Sequence, residues 1–274
     1  MGAQIGDKPF IARHVANAHT LFNVINCLLF LPLLGLLVKV ATWMVPSKGE
    51  DVEVEYHLKY LNAKVLDAPE IALGQAKMEI NRMMRTAERM LDRGFKYLYT
   101  GDEKYYNSVV KNEQLVDMLQ KEVTDFLTVL SQKSISSETS KEIAAMLHIT
   151  ADIERIGDHA EGLVHLGYRK SKNRIEFSET GKEDLKGIAQ VTTDFVALVS
   201  KAVQENDKTI MEEARAMEAK LNRLEDTLRA THIARLQSGS CTVESGLLFI
   251  DMITNMEKIG GHAYNIAEFT VGER

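Results

Sequence analysis

From Val52 onward, apolar residues return every three or four positions, the spacing of amphipathic helices. Val109, Val116, Leu119, Val123, Phe126 and Leu130 form one such seam. Ile143, Thr150, Ile153, Gly157, Ala160 and Val164 form another. Together with the polar breaks at Thr100-Gly101-Asp102, Ser134 to Ser137, Lys172-Asn173, Asn206-Asp207 and Ser238-Gly239-Ser240, the seams predict six helices: 69–99, 103–132, 138–169, 180–204, 207–237 and 242–270. Asp67 is read as the cap of the first, and Pro69 suits its first turn. Three helices in each half give an all-α fold of two tandem three-helix bundles, residues 69–171 and 178–272. Residues 47–68 form a linker that includes the acidic stretch Gly49-Glu50-Asp51-Val52-Glu53 and a short segment from Tyr56 to Leu66.

The first 46 residues differ in kind. Thr20 to Val38 carries no charge for 19 residues, close to the roughly 20 needed to cross a bilayer. Lys39 interrupts the run, Ala41 to Val45 resumes it, and Trp43 suits an interfacial anchor. A signal peptide would also place Arg13 ahead of an apolar core, but the length and late start of this run favour a transmembrane helix. Asn23 and Asn26 inside the run, and the carbonyl freed by Pro32, need partners in hydrocarbon. They imply a bundle completed by other transmembrane helices, from another protein or from copies of this chain.

A repeat changes the picture more. Asp152 to Leu166 aligns without gaps to Asn255 to Phe269, with five identities and several Asp/Asn, Arg/Lys or aliphatic exchanges. The acids keep the same register. Glu113 and Asp117 recur as Glu218 and Asn222, 105 residues later; Glu154 and Asp158 recur as Glu257 and Gly261, 103 later. Glu113 with Asp158, and Asp117 with Glu154, share a midpoint at the expected turn near Ile135-Ser136. An antiparallel hairpin therefore sets these four carboxylates in one layer. Such a layer repels itself unless cations or protons neutralise it. Carboxylate-only ligation suits a divalent ion such as Mg, Mn or Fe. The second layer retains Glu218 and Glu257, with Asn222 as a neutral oxygen donor, and should bind more weakly.

A net charge of −6 without a dense Lys/Arg block excludes nucleic acid as a partner. Cys27 and Cys241 are too isolated to staple a secreted fold, which favours a reducing compartment. No phosphate loop, nucleophile elbow or nucleotide fingerprint is present. A helix-bundle dinuclear enzyme would need Glu-x-x-His pairs, and no Glu of the layer has one. His159 turns about 100° away from Asp158 around the helix. His148, His165, His232 and His262 are read as surface or seam residues, not ligands. The chain is not expected to be an enzyme.

At Ala151-Asp-Ile-Glu-Arg-Ile-Gly-Asp-His-Ala-Glu the sequence resembles a PhoU domain, a family of paired three-helix bundles with E-x-x-x-D motifs on facing helices. Asn112 to Asp117 and Lys220 to Glu225 carry the same resemblance, which covers residues 69–270. Ala12 to Asn23, and faintly Gly2 to Gly6, resemble the end of the membrane domain of sodium-dependent phosphate cotransporters, which carry a PhoU-like domain at their C-terminus. The resemblance implies that Glu113, Asp117, Glu154 and Asp158 are metal ligands, and it admits iron or zinc. It also implies an inner (plasma) membrane location with the helical body in the cytoplasm, acting indirectly on sodium and phosphate. The first functional reading is the regulatory C-terminal part of such a cotransporter, with only its last membrane segment. The alternative is a membrane-tethered phosphate-signalling regulator that binds a separate transporter or sensor kinase.

Overall fold

The computed structural model describes residues 8–44 and 57–273. Among the described residues there are α-helices and one short 3₁₀ turn but no strand, as the apolar spacing requires. The acidic stretch 49–53 and Tyr56 lie outside the described residues. The chain divides into two compact units, Met1–Val52 and Glu53–Arg274.

The first unit holds α1 (Lys8–Met44), with Pro32 inside the helix. At 1.5 Å per residue it is roughly 55 Å long. Its stretch His14–Leu33 is long and apolar enough to cross a membrane, and none of that stretch is buried. Leu28 and Leu31 are among the most exposed large side chains of the protein.

The second unit holds α2 (Pro69–Thr100), α3 (Glu103–Ser131), α4 (Ser137–Lys172), α5 (Glu179–Glu205), α6 (Met211–Gln237) and α7 (Val243–Val271). Side-chain caps start most of them. Asp102 accepts from the Lys104 amide, Ser136 from Thr139, Ser178 from Gly181 and Thr242 from Ser245. Gly101 and Gly272 close α2 and α7 in the left-handed conformation. Two expectations fail. Ala68, not Asp67, occupies the cap position of α2, because the Asp67 carboxylate pairs with Lys133 at 2.8 Å. And α6 starts at Met211, because Asp207 accepts from both the amide and the hydroxyl of Thr209 and holds a tight turn there.

α2, α3 and α4 pack into one bundle, α5, α6 and α7 into a second. The expected seams on α3 and α4 are buried throughout. Ahead of α2, the chain is strapped down by Glu79. Its buried carboxylate accepts from the Lys59 and Tyr60 amides and pairs with Arg82.

α4 also packs along α7, and α2 along α5, which joins the bundles. The α4–α7 seam is reciprocal and antiparallel. His159 Nδ1 donates to Asn255 Oδ1 at 3.0 Å, and His262 Nδ1 donates to Asp152 Oδ1 at 2.7 Å. The two imidazoles stack with centroids 5.6 Å apart. Since His262 and Asn255 are the repeat equivalents of His159 and Asp152, one contact is made twice around a local twofold.

The repeated glycines let the helices approach. A Cβ at Gly260 would fall 2.1 Å from Leu221 Cδ2, whereas one at Gly157 would fall 3.4 Å from Val116 Cγ1. Gly260→Ala should therefore cost about 1–3 kcal/mol by overpacking. Gly157→Ala should be near neutral, its tight contact offset by better helix propensity. Denaturant unfolding of both variants checks this; equal losses would contradict the packing shown.

A carboxylate cluster as a candidate metal centre

α3 and α4 run antiparallel, so residues with a common midpoint face one another. Glu113 and Asp117 on α3 meet Asp158 on α4, with one carboxylate oxygen from each lying within 4.8 Å of the others. Glu113 and Asp158 are half-buried and Asp117 is exposed. Glu154, expected in the same layer, is not part of this close triplet. It lies 3.5 Å from Arg155, which also reaches Asp158 at 3.3 Å. Glu154 remains near enough for the charges of Asp158 and Asp117 to act on it.

Electrostatic strain is concentrated here. Burial pushes the Glu113 carboxyl up to about 7; a hydrogen bond with Asp117 and the charges of Asp117, Glu161 and Asp158 add to the effect. Glu154 is also raised, first by burial and then by Asp158, with Arg155 opposing. Glu113 thus keeps its proton well above the ordinary carboxylate range. Glu161, not singled out from the sequence, extends the acidic edge one turn along α4. Its place three residues after Asp158 was the available signal. It lies 3.6 Å from His165, whose Nδ1 is 3.1 Å from the Tyr106 hydroxyl.

The donor set fits a hard or borderline divalent ion. Oxygens around an octahedral ion with bonds near 2.1 Å lie roughly 3–4.2 Å apart, so the triplet needs only a small contraction. Glu113, Asp117 and Asp158 would hold such an ion, with Glu154 able to join if it leaves Arg155.

The second half builds no such triplet among the described residues. Both the Glu218 and Glu257 carboxyls are raised chiefly by burial, with Glu268 and Glu257 adding to the first and Glu225 to the second. Asn222 is exposed. The Gly261 position, where Asp158 stands in the first half, opens onto empty space. Glu225, which the sequence reading passed over, is buried and paired with Arg229, whose guanidinium also donates to Thr254 at 2.8 Å. Arg229 thus neutralises Glu225 beside the second layer, while Glu218 and Glu257 keep raised carboxyls.

The fold and site define a class: tandem three-helix bundles with a carboxylate cluster on facing helices. The PhoU domain model matches residues 80–165 and again 185–270, and the chain belongs to the PhoU domain family. It is 21% identical over 253 residues to a Salmonella typhimurium protein named "Putative inorganic phosphate export protein YjbB". That match covers 91% of this chain and 46% of the relative, so the chain spans about half the relative's length. It is 24% identical over 207 residues to a "Phosphate-specific transport system accessory protein PhoU homolog" of Xylella fastidiosa, covering 76% of this chain and 86% of that one. Among solved structures, PhoU from Pseudomonas aeruginosa superposes with a TM-score of 0.68 at 17% identity, covering 73% of this chain and 95% of that chain.

The raised carboxyl of Glu113 sets a pH dependence. A raised acid stabilises the fold fully below its ordinary 4.5 and loses that contribution as pH rises through about 7. Metal-free protein should therefore melt at progressively lower temperature between about pH 5 and 8. Glu113→Gln should flatten this slope and melt above wild type at pH 8. Thermal scans in EDTA check both; a slope unchanged by the substitution would contradict the assignment.

Proposed function

We propose that this chain is a PhoU-type regulatory module of phosphate transport, held at the membrane by α1 and controlled by a divalent metal ion in its first bundle. The carboxylate triplet of Glu113, Asp117 and Asp158 carries the reading, because half-buried like charges there demand a cation or a proton. Membership in the PhoU family and relatives named for phosphate transport or export supply the process. The body acts on a partner rather than on a substrate: it is a regulator, not an enzyme, and faces the cytoplasm. Its partner is a phosphate-moving membrane protein or the sensor that governs one.

This favours the tethered regulator over a sodium cotransporter fragment, since the relatives' names point to phosphate export and accessory roles. A second reading is supported by the extent of the Salmonella match. Covering 91% of this chain, it must run back into α1, so counterparts of part of α1 and of the helical body occur together in that longer protein. On that reading the module acts on a membrane domain fused to it.

Two measurements test the proposal. Calorimetric titration of the full chain in neutral detergent with Mn²⁺ or Fe²⁺ should show one dominant site in the first half. The Glu113→Gln, Asp158→Asn double variant should weaken it about 100-fold or more, and metal should raise the melting temperature of wild type only. Glu218→Gln with Glu257→Gln should leave it nearly intact. In cells, expression of the wild-type chain should change the rate of labelled phosphate efflux or uptake, and the first double variant should abolish that change. Metal binding indifferent to Glu113 and Asp158, or phosphate flux indifferent to the chain, would reject the proposal.

A further inference from the structure

The other side of the first bundle has the opposite charge. Arg82, Arg85, Arg89 and Arg93 stand at successive three- and four-residue steps, forming one stripe along α2. Of the acids of α2 near the stripe, one pairs with its first arginine and the others make contacts of their own. Glu79 holds Arg82 and the strap at Lys59 and Tyr60. Glu88 accepts from Ser200 on α5 at 3.0 Å, and Asp92 pairs with Lys96. Among the described residues, no carboxylate lies within ion-pair distance of Arg85, Arg89 or Arg93.

Neutral hydroxyls position the guanidiniums instead. Arg89 Nη2 donates to Thr86 Oγ1 at 2.9 Å, and Arg93 Nη1 donates to Ser108 Oγ on α3. Buried Asn112 also donates to the Ser108 carbonyl at 2.6 Å. Part of Arg89 is open to solvent, yet its surroundings strip water from the guanidinium. Burial first, and then Arg93 and Arg85, lower its proton affinity, with Glu88 alone among carboxylates opposing. The stripe belongs to the first half only. At the family model's repeat offset, the second half carries Gln190, Asp194 and Leu198 in place of Arg85, Arg89 and Arg93.

We propose that Arg85, Arg89 and Arg93, with the hydroxyl-bearing edge of α3 at Ser108, form a binding site for a phosphate group. Planar guanidiniums with five fixed N–H donors match tetrahedral oxyanions in bidentate fashion, and an anion relieves the repulsion between them. The group is supplied either as free orthophosphate or as a phospholipid headgroup. The site is separate from the carboxylate cluster and does not depend on the metal reading.

The test uses the full chain in neutral detergent with EDTA, so that no metal-bridged anion contributes. Orthophosphate and the soluble lipid headgroup glycerophosphoglycerol are titrated separately by calorimetry. Saturable binding of either that Arg85→Gln with Arg89→Gln weakens about tenfold or more supports the site, and the ligand that binds identifies the source. Lys186→Gln with Lys220→Gln, which removes equal charge elsewhere, should leave binding unchanged, as should Asp158→Asn. Without ligand the arginine double variant should melt at or above wild type, because it removes repulsion without breaking an ion pair. Binding of neither ligand, equal loss in the lysine variant, or a melting temperature several degrees lower would overturn the proposal.

Discussion

α4 packs on α2, α3 and α7 at once, and its middle stretch from Asp152 to Glu161 has to serve all of these contacts. Gly157 faces Met90 and Val116 across the first bundle. Asp152 and His159 face α7, while Asp158 turns to Glu113 and Asp117 on α3. With 100° between successive residues, consecutive positions of one turn point to different neighbours, and a small residue at the closest approach eases the packing. Isoleucine then fills the core, glycine admits the neighbour, the acid meets its partner helix, and histidine joins the halves. The equivalent stretch of α7 meets the same demands with Ile259, Gly260, Gly261 and His262, and the acid is the position it drops.

That arrangement explains why half-buried acids are tolerated. Carboxylates on a surface would spread apart and bind water; here two packed helices hold Glu113 and Asp158 in place. A proton near neutral pH or a cation must then balance them, and Arg155 supplies only part of that charge from the rim. Arg229 supplies the whole of it for Glu225 in the second half. The first half holds three acids close enough to share an external cation, whereas in the second half the buried acid Glu225 has a cation partner within the fold.

Helix positions and the α3–α4 register were legible in the sequence because both follow from spacing. Apolar seams at Val109 to Leu130 locate the core, and a shared midpoint forces Glu113 opposite Asp158 once the hairpin turn is placed. Details decided by side-chain competition were not legible. Asp67 looked like a cap until Lys133, distant in sequence, drew it away. Glu154 looked like one of four acids in a single layer, yet only the other three close into a triplet and Arg155 lies beside it. The reciprocal contacts of Asp152, His159, Asn255 and His262 were hidden for a different reason. The likeness of the two stretches showed that they repeat, but nothing in the spacing showed that they touch.

The two repeated bundles differ where packing leaves positions free. Repeated helices start with equal chemistry, and the face each buries in the shared core stays constrained by packing. Outward and edge positions are free to diverge. At those positions the second half carries Gly261 and Asn222 against two acids of the first, and Gln190, Asp194 and Leu198 against three arginines. Opposite charges on the first bundle persist without neutralising each other because α3 stands between them. Its Ser108 edge meets the arginines, while Glu113 and Asp117 meet α4. A helix turning different edges to each charge keeps cation and anion chemistry within one small domain, and the packing of α4 on α7 holds that domain to a half that builds neither cluster.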